Sequence, residues 1–208
     1  MWRLPTSTIA LLLFLLVGSV LVAGDTSNCS TIWKAIDDDD PKCIQYVWLK
    51  AMNQLDEIGA DGQTPLLYAA ARGKVHSAKA LLELGADHTI REKDTRYSVL
   101  DLAAKKGDHR MVNLLGNYKD IDGKSIIQDS LLLAKHSVDG YSPMHRACLG
   151  NNGEYAKTVV EFIDLGVSWD YKTRDGETCR DLTPSQIIKY ALLHAAAEES
   201  DADEYDEL

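Results

Sequence analysis

The chain has 208 residues, of which 45% are hydrophobic and 26% charged, and a net charge of −10. Those fractions sit near the globular average and exclude wholesale disorder. The acidic balance excludes a binder of nucleic-acid phosphates, which needs a basic surface.

The charge is unevenly placed. Residues 198–208 carry seven acids and no base, the first 24 carry only Arg3, and the segment between is left at about −4. Arg3 precedes the apolar run Ile9–Val17; Gly18 and Ser19 come next, then Val20–Ala23, and Gly24 and Asp25 open a polar stretch. A basic start, an apolar stretch and small residues before a polar break describe a secretory signal peptide over residues 1–24, cleaved after Gly24. The alternative is an uncleaved anchor. A spanning helix needs about 20 apolar residues, a length reached here only by counting Pro5, Thr6, Ser7, Thr8, Gly18 and Ser19. After cleavage no membrane association is expected.

Export changes what the cysteines mean. Cys29, Cys43, Cys148 and Cys179 allow three pairings in an oxidising compartment. Cys29 and Cys43 form the expected pair: they are close in sequence, and a bridge there closes a loop of about 15 residues, worth roughly 3 kcal/mol. Cys148 and Cys179 are expected as thiols. Asn28-Cys29-Ser30 reads as a glycosylation acceptor at Asn28, weakened by a cysteine in its middle position.

Residues 25–57 form an N-terminal segment whose clearest element is a helix over Pro41 to Leu55, marked by Cys43, Ile44, Val47 and Trp48 at helical spacing. The preceding Asp37-Asp-Asp-Asp40 lacks the spaced ligands, central Gly and final Glu of an EF-hand loop. It is expected to cap that helix, and no metal site is expected.

Downstream the sequence repeats. Asp61-Gly-Gln-Thr-Pro-Leu-Leu-Tyr-Ala-Ala70 returns as Ser98-Val-Leu-Asp-Leu-Ala-Ala104, Asp139-Gly-Tyr-Ser-Pro-Met-His-Arg-Ala-Cys148 and Asp175-Gly-Glu-Thr-Cys-Arg-Asp-Leu182. Thr64, Ser98, Ser142 and Thr178 are spaced by 34, 44 and 36 residues. A second half-motif recurs, Leu81-Leu-Glu-Leu-Gly-Ala-Asp87 and Val160-Glu-Phe-Ile-Asp-Leu-Gly-Val167. Together these resemble the ankyrin repeat. The resemblance implies an all-α solenoid over residues 58–197, in three to four divergent repeats: a stack of helix pairs joined by short β-hairpin or turn connections. Thr64 and Ser142 suit N-caps followed by Pro at the first helical position. Gly85 and Gly166 suit left-handed helix ends. The second copy departs, with Asp94-Thr-Arg-Tyr97 at its tip and Asp101 at the motif's His, and residues 117–137 are an insertion. In the fourth copy Pro184 interrupts the first helix, so this copy reads as a terminal cap with a second helix from about Ser185 to Ala197.

The resemblance also implies function. Ankyrin stacks bind protein partners through hairpin tips and the concave face of the first helices. By position the tip residues here are Arg91, Lys93, Arg96, Tyr97, Tyr171 and Arg174, and exposed Tyr and Arg make good contact hot spots. Their basic character suits a partner with an acidic surface. His145 occupies the motif's His, a structural position in the family. No catalytic constellation and no phosphate-cradling loop is present, so no enzyme activity and no cofactor are expected.

The acidic tail 198–208 ends Tyr205-Asp-Glu-Leu208, and Asp206, Glu207 and Leu208 match the last three positions of an endoplasmic-reticulum retrieval signal, with Tyr205 in place of Lys or His. The expectation is a lumenal interaction protein recognised by the retrieval receptor. Alternatives are a secreted effector or inhibitor, and an acidic, low-affinity calcium-binding lumenal protein.

Overall fold

The computed structural model of the chain describes residues 29–51, 55–119, 123, 125–127 and 139–205, with the side chains of 51 and 196–205 left aside. The signal-peptide segment, Asn28, Met52 and Asp206 to Leu208 lie outside the described residues, as does most of the insertion at 117–137. The described residues form ten helices. Their bounds are α1 Ile32–Asp37, α2 Pro41–Ala51, α3 Pro65–Arg72, α4 Val75–Glu83, α5 Val99–Lys106, α6 His109–Asn117, α7 Pro143–Cys148, α8 Gly153–Asp164, α9 Cys179–Leu182 and α10 Gln186–Tyr205.

Two parallel rows result. The first helices stack in the order α1, α3, α5, α7, α9, and the second helices in the order α2, α4, α6, α8, α10, each touching its partner within a pair. The chemistry of the rows differs. The first row is spaced by fully buried Ala35, Ala69, Ala70, Ala103, Ala104 and Ala147, which let helices approach closely. The second row supplies bulk through Leu81, Leu115, Phe162 and Ile188. Burying each such side chain contributes about 1.5–3 kcal/mol. The all-α stack of helix pairs expected from the repeats is therefore the observed architecture. Among the described residues its connections are turns, and the one β-type pairing is an isolated bridge between Lys119 and Ser125.

Local signals act as their residue types dictate. Thr64, Ser98 and Ser142 have extended backbones and accept from the amides of Leu67, Asp101 and His145. Pro65 and Pro143 occupy the first helical positions, where a missing N–H costs nothing. Gly73 and Gly107 end α3 and α5 at φ 70° and 72°, the left-handed region only glycine enters freely.

The N-terminal segment holds two helices where the sequence showed one. Thr31 caps α1, and Ile32, Ala35 and Ile36 bury its single apolar stripe against α3. The Asp37–Asp40 run is consumed by structure. Asp37 accepts from the Tyr68 hydroxyl at 3.0 Å, Asp38 pairs with Lys34, and Asp40 caps α2 through the amides of Lys42 and Cys43. Asp39 reaches into the next pair. At φ 52°, its carboxylate accepts from the Ser77 amide and hydroxyl, both at 2.8 Å, and pairs with His76. It thereby caps α4, whose own N-cap Lys74 offers no acceptor.

Cys29 is joined to Cys43. Cys148 is also joined to Cys179, with Cα atoms 5.5 Å apart, which corrects the expectation of two thiols. That expectation assumed ordinary spacing between helix axes, about 8–10 Å. The alanine-lined first row packs tightly, and the bridge joins the last residue of α7 to the first of α9, where the chains converge. Both cysteines are fully buried. The terminal cap reflects Pro184: α9 stops after four residues, and α10 runs on to Tyr205, beyond the expected Ala197.

Candidate protein-binding surface

The connections α2–α3, α4–α5 and α8–α9 each project as a finger closed by a backbone hydrogen bond. The Gly59 amide donates to the Gln63 carbonyl, Glu92 to Tyr97 and Thr173 to Glu177, each at 2.9 Å. The Glu92–Tyr97 closure spans one residue more than the other two, which accommodates Asp94-Thr-Arg-Tyr97. Gly62, Gly140 and Gly176 take positive φ in their fingers, and in the longer one Arg96 does so at φ 62°.

Fingers lean on one another. The Lys93 side chain packs over Gly62 and that of Arg174 over Gly140, where an added Cβ would meet Arg174 Cδ at 2.8 Å. Lys93, Arg96, Tyr171 and Arg174 present exposed surface, while Arg91 and Tyr97 are half-buried. Arg91 donates to the Arg96 carbonyl at 3.0 Å, bracing the strained tip residue. Burial pulls its guanidinium below the usual value, opposed by Asp101. Thus Arg91, Lys93, Arg96 and Tyr97 share one finger, and Tyr171 and Arg174 share the finger between α8 and α9.

Tyr97 belongs to a buried polar seam. Its hydroxyl donates to Asp139 at 2.8 Å, and the Arg146 guanidinium lies 3.8 Å from its ring centroid. Arg146 donates to Asp101 from Nε at 2.9 Å and to both Asp139 oxygens at 2.6 and 2.7 Å. Burial would lower the Arg146 guanidinium, yet Asp139 and Asp101 outweigh it and raise it. Burial would raise the Asp139 carboxyl, yet bonds from Arg146 and Tyr97 hold it well below the usual carboxylate range. Asp101 Oδ2 accepts from the Ser98 amide and hydroxyl, completing a capping box. Two repeats separated by an insertion are thus held by charge as well as by packing. Sequence reading noted Asp101 at the motif's His but missed Arg146. The available signal was a cation directly after His145, one repeat on from an acid at the position equivalent to His145.

His145 joins repeats differently. Its Nε2–H donates to the Tyr171 carbonyl at 2.8 Å, leaving Nδ1 to accept from the Ser142 amide. Burial and the nearby Arg146 charge lower its pKa against the opposing Tyr171 bond, so the ring is neutral. The first-helix row and the fingers frame a groove of about 230 Å³ whose lining includes Tyr97, Lys105, Asp139, Arg146, Leu149 and Tyr155. Among the described residues no cluster of three or more His, Cys, Asp or Glu side chains is placed to hold a metal ion. No helix among them is long and apolar enough to cross a membrane.

Residues 32–125 match the family model for ankyrin repeats, in three copies. Those residues span α1 to α6, three helix pairs, and the α7–α8 and α9–α10 pairs continue the same two rows. The fold is an ankyrin-type stack. Inversin from Gallus gallus is 43% identical over 68 residues, 30% of this chain and 6% of that protein. Inversin from Mus musculus is 27% identical over 161 residues, 65% of this chain and 15% of that protein. The chain therefore spans a small fraction of the curated relatives it matches. Ankyrin repeats are a protein–protein interaction module.

Proposed function

We propose that the chain is a non-enzymatic protein-binding module of the secretory-pathway lumen, engaging its partner through finger tips and the concave first-helix face. The buried Cys148–Cys179 bridge carries this reading. Disulfides persist in oxidising compartments and are rare in the cytosol. A second bridge, Cys29–Cys43, and the apolar segment at residues 9–23 support it. Retention through Tyr205, Asp206, Glu207 and Leu208, and glycosylation at Asn28, are parts of the same proposal.

The test is expression of the full chain in a secretory cell. The mature N-terminus is expected at Asp25, with both bridges formed and the protein held inside the cell. Deleting Tyr205 to Leu208 should release it into the medium, and Tyr205→Lys should keep it in. Lumenal crosslinking should capture a partner that is lost on Arg96→Glu combined with Arg174→Glu. Reduced cysteines and a retained Arg3 would overturn the lumenal reading. Equal secretion of intact and truncated chains would favour a secreted effector, for which the two bridges are equally suited.

A further inference from the structure

The groove between α5 and α7 has a chemistry of its own. At about 230 Å³ it is smaller than the 300–1,000 Å³ typical of small-ligand pockets, and suits side chains of a bound segment. Leu149 stands seven residues after the cap Ser142, the place held by Ala71 and Lys105 in the two preceding repeats, and is 46% exposed. The Tyr155 ring forms a fixed wall beside it. Its hydroxyl donates to the Lys105 carbonyl at 2.9 Å, and the ring fills the space that Gly107 and Gly150 leave open. A wall already ordered in the free protein loses little entropy on binding.

Charge selects what enters. Arg146 is committed to Asp101 and Asp139, and the Asp139 carboxylate, which also lines the groove, is taken up by Arg146 and the Tyr97 hydroxyl. Lys105 is exposed and has no carboxylate within ion-pair distance among the described residues. The Lys105 ammonium lies 5.3 Å from the Tyr97 ring centroid, over the groove. We infer that this groove takes an acidic protein segment, with an apolar side chain against Leu149 and Tyr155 and a neighbouring carboxylate at Lys105. A basic segment is repelled by the same lysine. The inference rests on the concave face being the partner surface and adds the chemistry of what binds there.

The test uses the full chain with ¹³C-labelled leucine methyls and two synthetic peptides, acetyl-Glu-Asp-Leu-Glu-Asp-amide and acetyl-Lys-Arg-Leu-Lys-Arg-amide. The acidic peptide is expected to shift the Leu149 methyl signals saturably, with affinity falling as salt rises. Lys105→Glu and Leu149→Asp should each weaken it at least tenfold at unchanged melting temperature, since both positions are exposed. Unmoved Leu149 signals, equal binding of the basic peptide, or indifference to Lys105→Glu would each overturn the inference. Capture of a lumenal partner by the Lys105→Glu, Leu149→Asp double variant, as strong as by the unmodified chain, would also overturn it while leaving the module reading intact. Peptide binding at Leu149 with no partner captured would support the groove's chemistry and count against that reading.

Discussion

Arg146 and Asp101 meet at 2.9 Å across the seam between α7 and α5, with side chains only 4% and 1% exposed. A buried pair contributes little net stability as built, because desolvation offsets attraction, but removing one partner strands a charge. Arg146→Met is therefore expected to cost about 3–5 kcal/mol in chemical denaturation. Changing Asp101→Asn in the same chain should recover part of that loss. A cost below about 1 kcal/mol for Arg146→Met would show that water reaches Asp101.

Asp139 adds a pH dependence to the seam. Its folded carboxyl holds a proton less readily than the unfolded one, whose value is about 3.9. Its stabilisation is present above that value and is lost as pH falls further towards the folded value. Denaturation midpoints should drop steeply below about pH 4, and Asp139→Asn should flatten the drop. An equal drop in the variant would assign it to other carboxylates.

The Cys148–Cys179 bridge spans 31 positions and ties the short α9 to the stack. The chain-entropy relation gives roughly 3–4 kcal/mol for such a loop, against about 3 for Cys29–Cys43. Replacing Cys148 and Cys179 together by Ala should lower the melting temperature more than replacing Cys29 and Cys43. Peptide mapping of the alkylated, unreduced protein should find both bridges. Folded protein should resist dithiothreitol at Cys148–Cys179, since neither sulfur is reachable.

His145 is expected to make the finger it braces at Tyr171 acid-sensitive in the range below neutrality. The unfolded imidazole titrates near 6.5, and the folded ring binds its proton only at lower pH. Stability from neutral His145 is thus full above about pH 6.5 and declines as pH falls below it. His145→Gln keeps a donor for the Tyr171 carbonyl but cannot titrate. Its deficit at pH 7.5, about 1 kcal/mol, should shrink at pH 5. A deficit constant with pH would place the sensitivity elsewhere.

Asp39 tests capping from outside the capped helix. Asp39→Ala removes the acceptor for Ser77 and places alanine at φ 52°, so a loss at the upper end of the cap range, about 2 kcal/mol, is expected. Asp39→Asn tolerates that backbone and keeps an acceptor, and should lose less than half as much. Thermal unfolding of both variants distinguishes cap from charge.

The residues alone located the helix starts that lie inside the repeated motif. Thr64-Pro65, Ser98 and Ser142-Pro143 each cap a helix of their own, because the acceptor and the amide it serves lie three positions apart. Gly85 and Gly166 were legible for a similar reason: positive φ is a demand on one residue. Helix α1 escaped notice because one turn and a half shows only Ile32, Ala35 and Ile36, too short a stripe to read without the α3 face it covers. Tertiary structure decided everything that joins distant positions. Arg146 finds Asp101 across 45 residues and Cys148 finds Cys179 across 31, at separations set by how closely alanines let the first row pack. The groove at Leu149 and Lys105 arises from that same spacing, since two helix ends and a finger must converge before exposed side chains become neighbours.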